Sequence, residues 1–326
     1  MPRAFLFCSV VLVATVAGAQ TDGGKMSPRT PWGAPDLQGV WNIAAGTPLE
    51  RPAELAGKEF FTDDELARAT EQVKERTSAD RRDDTASLTD LRREHNDFWF
   101  DKRDAPLTRR TSLIVDPADG RLPPLTPEAA KQTPAPPDEL RSTDGPEARG
   151  LGERCLVQPA TGPPMLPLPN IYVEQLLGAK FNFQIVQNPS YVTVVWESIG
   201  QVRIIPLDGR PHLPQTVRPW LGDSRGHWEG STLVIETTNF SAKRTFLGSS
   251  AEHLRVVERF TRRDDNTLEY QFTVDDPMRW TRPWTATVPV EKTNGRLFEF
   301  ACHEGNYGLQ NILRVARALE KESKQP

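Results

Sequence analysis

Between Cys302 and Tyr307 the chain reads Cys-His-Glu-Gly-Asn-Tyr, placing an imidazole, a carboxylate, an amide and a phenol within a few positions. His303 can act as a general base near neutral pH, with Glu304 orienting it or serving as the acid. The same residues also fit a helix start, with Asn306 as N-cap and Glu304 favoured by the helix dipole. A third carboxylate stands out in HLRVVERFTR, where Glu258 shares alternate positions with Leu254, Val256 and Phe260. A carboxylate on such an apolar face loses hydration and holds its proton more tightly unless a cation pairs with it. That suits a general acid or a ligand anchor, whereas a bulge or an outward register would remove the constraint.

Ligand contacts are expected from a second group. Trp228, Trp280 and Trp284 lie near Arg225, Arg279 and Arg282 at strand ends. Flat rings beside polar groups suit stacking on a sugar or an aromatic ligand, and serve equally as plugs of a barrel. Gly222-Asp223-Ser224-Arg225-Gly226 matches the G-x-S-x-G elbow of α/β-hydrolases, but it lacks the strand before and the helix after that make the elbow work. It reads instead as a tight polar turn stapled by Asp223 and Arg225. With His212 and Tyr307, these residues complete the expected ligand-binding set. The five histidines show no paired ligand spacing, so a metal could be held only by long-range assembly of His212, His227 and His303. No metal or cofactor is expected.

Positioning these groups requires strands. FNFQIVQ (181–187), YVTVVWES (191–198), QVRIIPL (201–207), STLVIETTNF (231–240), HLRVVERFTR (253–262), TLEYQFTVD (267–275), WTATVPVEK (284–292) and LFEFAC (297–302) follow one another. An Asn294-Gly295 hairpin signal lies between the last two. Leu268, Tyr270, Phe272 and Val274 alternate with polar residues, giving one dry face and one wet one. An antiparallel meander of this kind removes its unpaired edges by closing into a barrel. A mainly β, lipocalin-like barrel is therefore expected over 171–326, with a two-sheet sandwich as the alternative. A C-terminal helix runs from Tyr307 to about Lys321, with Leu309, Ile312, Leu313 and Ala316 on one face.

Residues 20–170 read as different material. Thr62-Asp63-Asp64-Glu65 is a capping box that opens a helix to about Arg76, and a second short helix is expected over 88–100. Ser112 to Val115 reads as a strand. From Pro117 to Asn170 the chain holds 13 of its 29 prolines, so it wraps a folded body in extended form. Residues 131–149 could instead be linker.

Compartment is set by the first residues. Arg3, an apolar run over 4–16 and Ala17-Gly18-Ala19 make a secretory signal peptide, with cleavage after Ala19 and a periplasmic or secreted product. The run is short for a membrane anchor. The formal charge of −4 becomes −5 once Arg3 leaves, which argues against nucleic-acid binding. Cleavage also removes Cys8 and leaves Cys155 and Cys302. In an oxidising compartment these most simply form a disulfide, closing a loop that contributes about 4 to 5 kcal/mol; two buried thiols are the alternative.

Two resemblances add to this. Gly39-Val40-Trp41 is similar to the Gly-x-Trp of lipocalins, in which the tryptophan plugs one barrel end, although about 140 residues separate it here from the meander. Taken whole, the chain resembles an uncharacterised family of exported bacterial proteins with segments of the type PWGxPDLQGVW, RRTSLIVDP, IIPLDGRPHLP, GDSRGxWEG and ACHEGNYG. These lie here at 31–41, 109–117, 204–214, 222–230 and 301–308. That resemblance implies export and no particular activity.

Two functions remain beside a purely structural envelope role, which needs no pocket. One is an exported barrel binding a small, partly apolar or carbohydrate-like ligand. The other is a secreted hydrolase or lyase on a small molecule or carbohydrate, using His303 with Glu304 or Glu258, which requires those groups to meet in one cavity.

Overall fold

In TLEYQFTVD every second side chain is buried, and the same two-residue period recurs along most of the strands that form the molecule. The computed structural model describes residues 28–43, 46–77, 107–132, 142–150, 153–156, 165, 182–197, 201–242, 247–299 and 301–323. The signal peptide expected over 1–19 and the helix expected over 88–100 lie outside them.

Among the described residues ten strands form one antiparallel sheet: β1 (Gly39–Ile43), β2 (Ile114–Asp116), β3 (Asn182–Gln187), β4 (Tyr191–Trp196), β5 (Val202–Pro206), β6 (Asp223–Glu229), β7 (Thr232–Thr238), β8 (Arg255–Arg262), β9 (Thr267–Asp275) and β10 (Trp284–Lys292). Their order is β5-β4-β3-β1-β10-β9-β8-β7-β6, with β2 paired beside β1 on the flank of β10. The sheet curls until β5 meets β6, giving a nearly closed barrel rather than two stacked sheets.

Two meanders make the wall, β3–β5 and β6–β10, and β1 joins them. Trp41 pairs with Phe183 of β3 on one side and with Lys292 of β10 on the other. The shell is therefore not built from 181–302 alone. Gly39 sits at φ +141°, a conformation open to glycine, with the Lys292 side chain and the Trp41 ring 3.4 Å from where a Cβ would be. Trp41 is fully buried, its indole N–H donates to Leu37 O at 2.9 Å, and the Arg262 guanidinium lies 5.7 Å from its ring centre.

Two expected local structures are corrected. The stretch read as a tight polar turn, Gly222 to Gly226, enters a strand: β6 begins at Asp223 and runs against β7. Residues 297–299 are not a strand, because the flank of β10 they would need is already taken by β1 and β2.

Closure depends on Gly226. A Cβ there would lie 2.8 Å from Leu207 Cδ2 and 2.9 Å from Ile205 Cγ2, so the bare backbone lets the β5 side chains seat against β6. Gly226→Val is expected to lower stability by about 1–3 kcal/mol by overpacking this seam. An unchanged urea midpoint would show that the seam does not depend on the missing side chain.

The N-terminal part wraps as well as pairs. Thr126 N donates to Arg279 O at 3.1 Å and Thr281 N to Pro124 O at 2.9 Å, laying the Pro-rich chain along the 276–281 loop. Helix α1 (Asp63–Thr77) opens on the expected capping box, with Thr62 N donating to Glu65 Oε2 at 2.8 Å and Glu65 N to Thr62 Oγ1 at 3.4 Å. Helix α2 (Tyr307–Glu322) has none of its residues buried. Among the described residues no helix is long and apolar enough to cross a membrane.

Candidate functional site

Inward-facing positions of the wall are almost all apolar, and against them one polar cluster stands out. Five strands that follow one another in sequence each contribute a side chain to it: Arg203 from β5, Ser224 from β6, Thr237 from β7, Glu258 from β8 and Tyr270 from β9. Each sits where strand alternation points inward, and none is more than 7% exposed.

At the centre is an ion pair. Arg203 Nη2 donates to Glu258 Oε2 at 2.6 Å and Nη1 to Oε1 at 3.1 Å, the two-pronged geometry that suits guanidinium and carboxylate. Tyr270 Oη donates to Glu258 Oε1 at 2.9 Å. Arg203 Nη2 also donates to Ser224 Oγ at 3.1 Å and Thr237 Oγ1 at 3.3 Å, and those two hydroxyls lie 2.9 Å apart. Burying charge this deeply is tolerable only because each oxygen of the carboxylate is bonded. Arg203 Nε is buried and has no hydrogen-bond partner among the described residues.

A sixth residue comes from the Pro-rich arm. Met165, fully buried, accepts from Arg203 Nη1 through its carbonyl at 3.1 Å and donates its N–H to Tyr270 Oη at 3.1 Å.

Burial, and after it the neighbouring Glu258 carboxylate, push the Tyr270 phenol well above its ordinary value. The folded phenol thus holds its proton more tightly than the unfolded one. The stability this confers is complete below about pH 10 and is lost as pH rises past that point. Of the four tyrosines, Tyr270 is expected to ionise only as the barrel unfolds, and Tyr270→Phe to remove that late step. Tyrosinate absorbance followed beside circular dichroism in an alkaline titration checks this; ionisation of every tyrosine before any loss of fold would refute it.

The structure separates the expected acid–base groups. Glu258 is fully buried in the barrel, while His303 and Glu304 are exposed in the turn before α2. Neither bonds to Glu258, whose partners are Arg203 and Tyr270. Asn306 acts as the helix cap, its Oδ1 accepting from Leu309 N at 3.3 Å. Its Nδ2 donates to Glu153 O at 2.7 Å. Close by, Cys155 and Cys302 are joined in a disulfide, their Cα atoms 5.7 Å apart.

His212, Asp223 and Arg225 do meet, on the outer side of β6. His212 Nδ1 lies 2.8 Å from Asp223 Oδ2, which also accepts from Leu213 N at 2.9 Å, and Arg225 Nη1 donates to Asp223 Oδ1 at 2.6 Å. On its other side His212 Nε2 lies 3.4 Å from Glu236, whose carboxyl is held below the usual range chiefly by Arg255. These bonds fasten the loop 207–222 to β6 and β7.

The tryptophans divide. Trp280 and Trp284 are buried edge to face, 5.8 Å between ring centres, and act as core. Trp228 pairs with Leu233 and so begins the row that continues through Phe260 and Tyr270 to Val288, four positions along β6 from the tier of Ser224 that leads across the sheet to Trp284. Tyr307 is 69% exposed. Among the described residues no three His, Cys, Asp or Glu side chains converge as metal ligands would.

Glu258 was visible in the sequence as a charge on a dry face; Tyr270 was read only as part of such a face and Ser224 only within the discounted G-x-S-x-G match, while Arg203, Thr237 and Met165 were not singled out. The signal for Arg203 was present, since it shares alternate positions with Ile205 and Leu207. Two opposite charges on the dry faces of two strands have reason to meet.

No family model and no curated protein matches the chain. Among solved structures it is similar to a mutant of the fluorescent protein UnaG, with a TM-score of 0.23 and 12% identity over 36% of this chain and 73% of that one. The barrel itself is defined by its own strand ladder.

Proposed function

We propose that this is an exported protein that binds a small, partly apolar ligand inside its barrel, with the Arg203–Glu258–Tyr270 cluster as the polar anchor. The observation that carries the reading is a fully buried ion pair set among apolar wall residues. Well-packed apolar side chains in place of such a pair are often neutral or stabilising, so the fold alone does not require it. Apolar walls with a few convergent polar groups are the ordinary make-up of small-molecule sites. Trp280 and Trp284 pack on each other in the core, which favours an apolar ligand over a carbohydrate needing an open ring face. The Cys155–Cys302 bridge fits an oxidising compartment, in keeping with the leader at 1–19.

Native mass spectrometry of protein purified from the periplasm tests the proposal. A small-molecule adduct on the wild type, absent from a folded Arg203→Met/Glu258→Leu variant, is the expected result. An adduct retained in that variant, or no adduct and no thermal shift across a small-molecule panel, would reject it.

A further inference from the structure

From the bonds around Met165 we infer that the anchor is built for a neutral residue flanked by two amides, and that the backbone N–H and C=O of Met165 stand in its place within this chain. The inference rests on the proposed binding function and specifies its ligand.

Three features define the chemistry. Arg203 offers Nη1 to the Met165 carbonyl, but its charge is already matched by Glu258, at 2.6 and 3.1 Å. The acceptor it seeks is therefore a neutral oxygen, since a second carboxylate would meet the field of Glu258. Tyr270 donates its O–H to Glu258, so toward the ligand its oxygen can only accept, and Met165 N–H supplies the donor at 3.1 Å. The donor and acceptor that fill these places belong to one residue and are three bonds apart. Arg203 Nε, buried and unpartnered among the described residues, leaves a further N–H for a second acceptor. Buried polar groups that have such bonds reject a ligand unable to make them. The matching class is an N-acyl amino amide, with an apolar side chain in the place of Met165.

If Met165 occupies the site, it competes with that ligand. Shortening its fully buried side chain weakens the internal competitor and leaves the wall intact.

The experiment uses the full, disulfide-bonded protein and its Met165→Gly variant. Calorimetric titration is made with N-acetyl-L-methioninamide, with its carboxylate counterpart N-acetyl-L-methionine, and with the apolar dye N-phenyl-1-naphthylamine. The amide is expected to bind Met165→Gly at least tenfold tighter than the wild type, and at least tenfold tighter than the carboxylate binds. Tyr270→Phe in the Met165→Gly background is expected to lose tenfold or more for the amide while keeping the dye. Glu258→Gln in that background, which frees the arginine charge, reverses the preference toward the carboxylate. Equal binding of amide and carboxylate to Met165→Gly, or binding of the dye alone, overturns the amide assignment and leaves barrel binding standing. Binding of none of the three by a folded Met165→Gly overturns both.

Discussion

Glu258→Ala is expected to destabilise the barrel by about 3–5 kcal/mol, the range found when one partner of a buried ion pair is removed. The loss comes mainly from what is left behind. Arg203, 3% exposed, would keep a full charge in a wall with no carboxylate to meet it, and the Tyr270 hydroxyl would lose its acceptor. The double variant Arg203→Met/Glu258→Leu removes both charges and is expected to recover most of the loss. A double-mutant cycle by urea denaturation reads the coupling directly. The pair acts independently if the two single changes simply add. It is weakly buried if Glu258→Ala shifts stability by less than about 1 kcal/mol, as an exposed bridge would.

Removal of the disulfide, by Cys155→Ser with Cys302→Ser, is expected to lower the unfolding free energy by about 2–5 kcal/mol. The bridge joins residues 147 apart, so the unfolded chain gains a large loop freedom when it is cut. A local effect accompanies the global one. None of α2 is buried, and besides the bridge it is fastened by Asn306 to Glu153 O and by Arg317 to Thr143 O, each at 2.7 Å. Amide exchange across Tyr307–Glu322 should therefore accelerate in the serine variant while β7–β9 stay protected. Unchanged exchange in α2 together with an unchanged denaturation midpoint would show that the bridge fastens nothing.

Most of the wall was readable because alternation is a local signal. The strands expected over 181–187, 191–198, 201–207, 231–240, 253–262, 267–275 and 284–292 all form, with ends moved by two residues or fewer. Non-local pairing decided the exceptions. Asp223 to Glu229 carries turn residues and charges, yet it becomes a strand because β7 offers an edge and Gly226 lets β5 close upon it. Leu297 to Cys302 alternates well in the sequence, yet its described residues 297–299 form no strand, since β1 and β2 hold the flank of β10. The site divides in the same way. Burial of Glu258 follows from its own strand, but its partner depends on which wall curls round to face it, and no spacing along the chain contains that.

Because β1 is framed by β3 and β10, the strand at 39–43 has neither neighbour until residues 182–187 and 284–292 have been synthesised. That segment therefore has no sheet partner near it in sequence, and sheet assembly must wait for contacts between distant parts of the chain. Folding should be slow for the size of the domain and require the chain through residue 292, a consequence of contact order rather than of any weakness in the strands themselves.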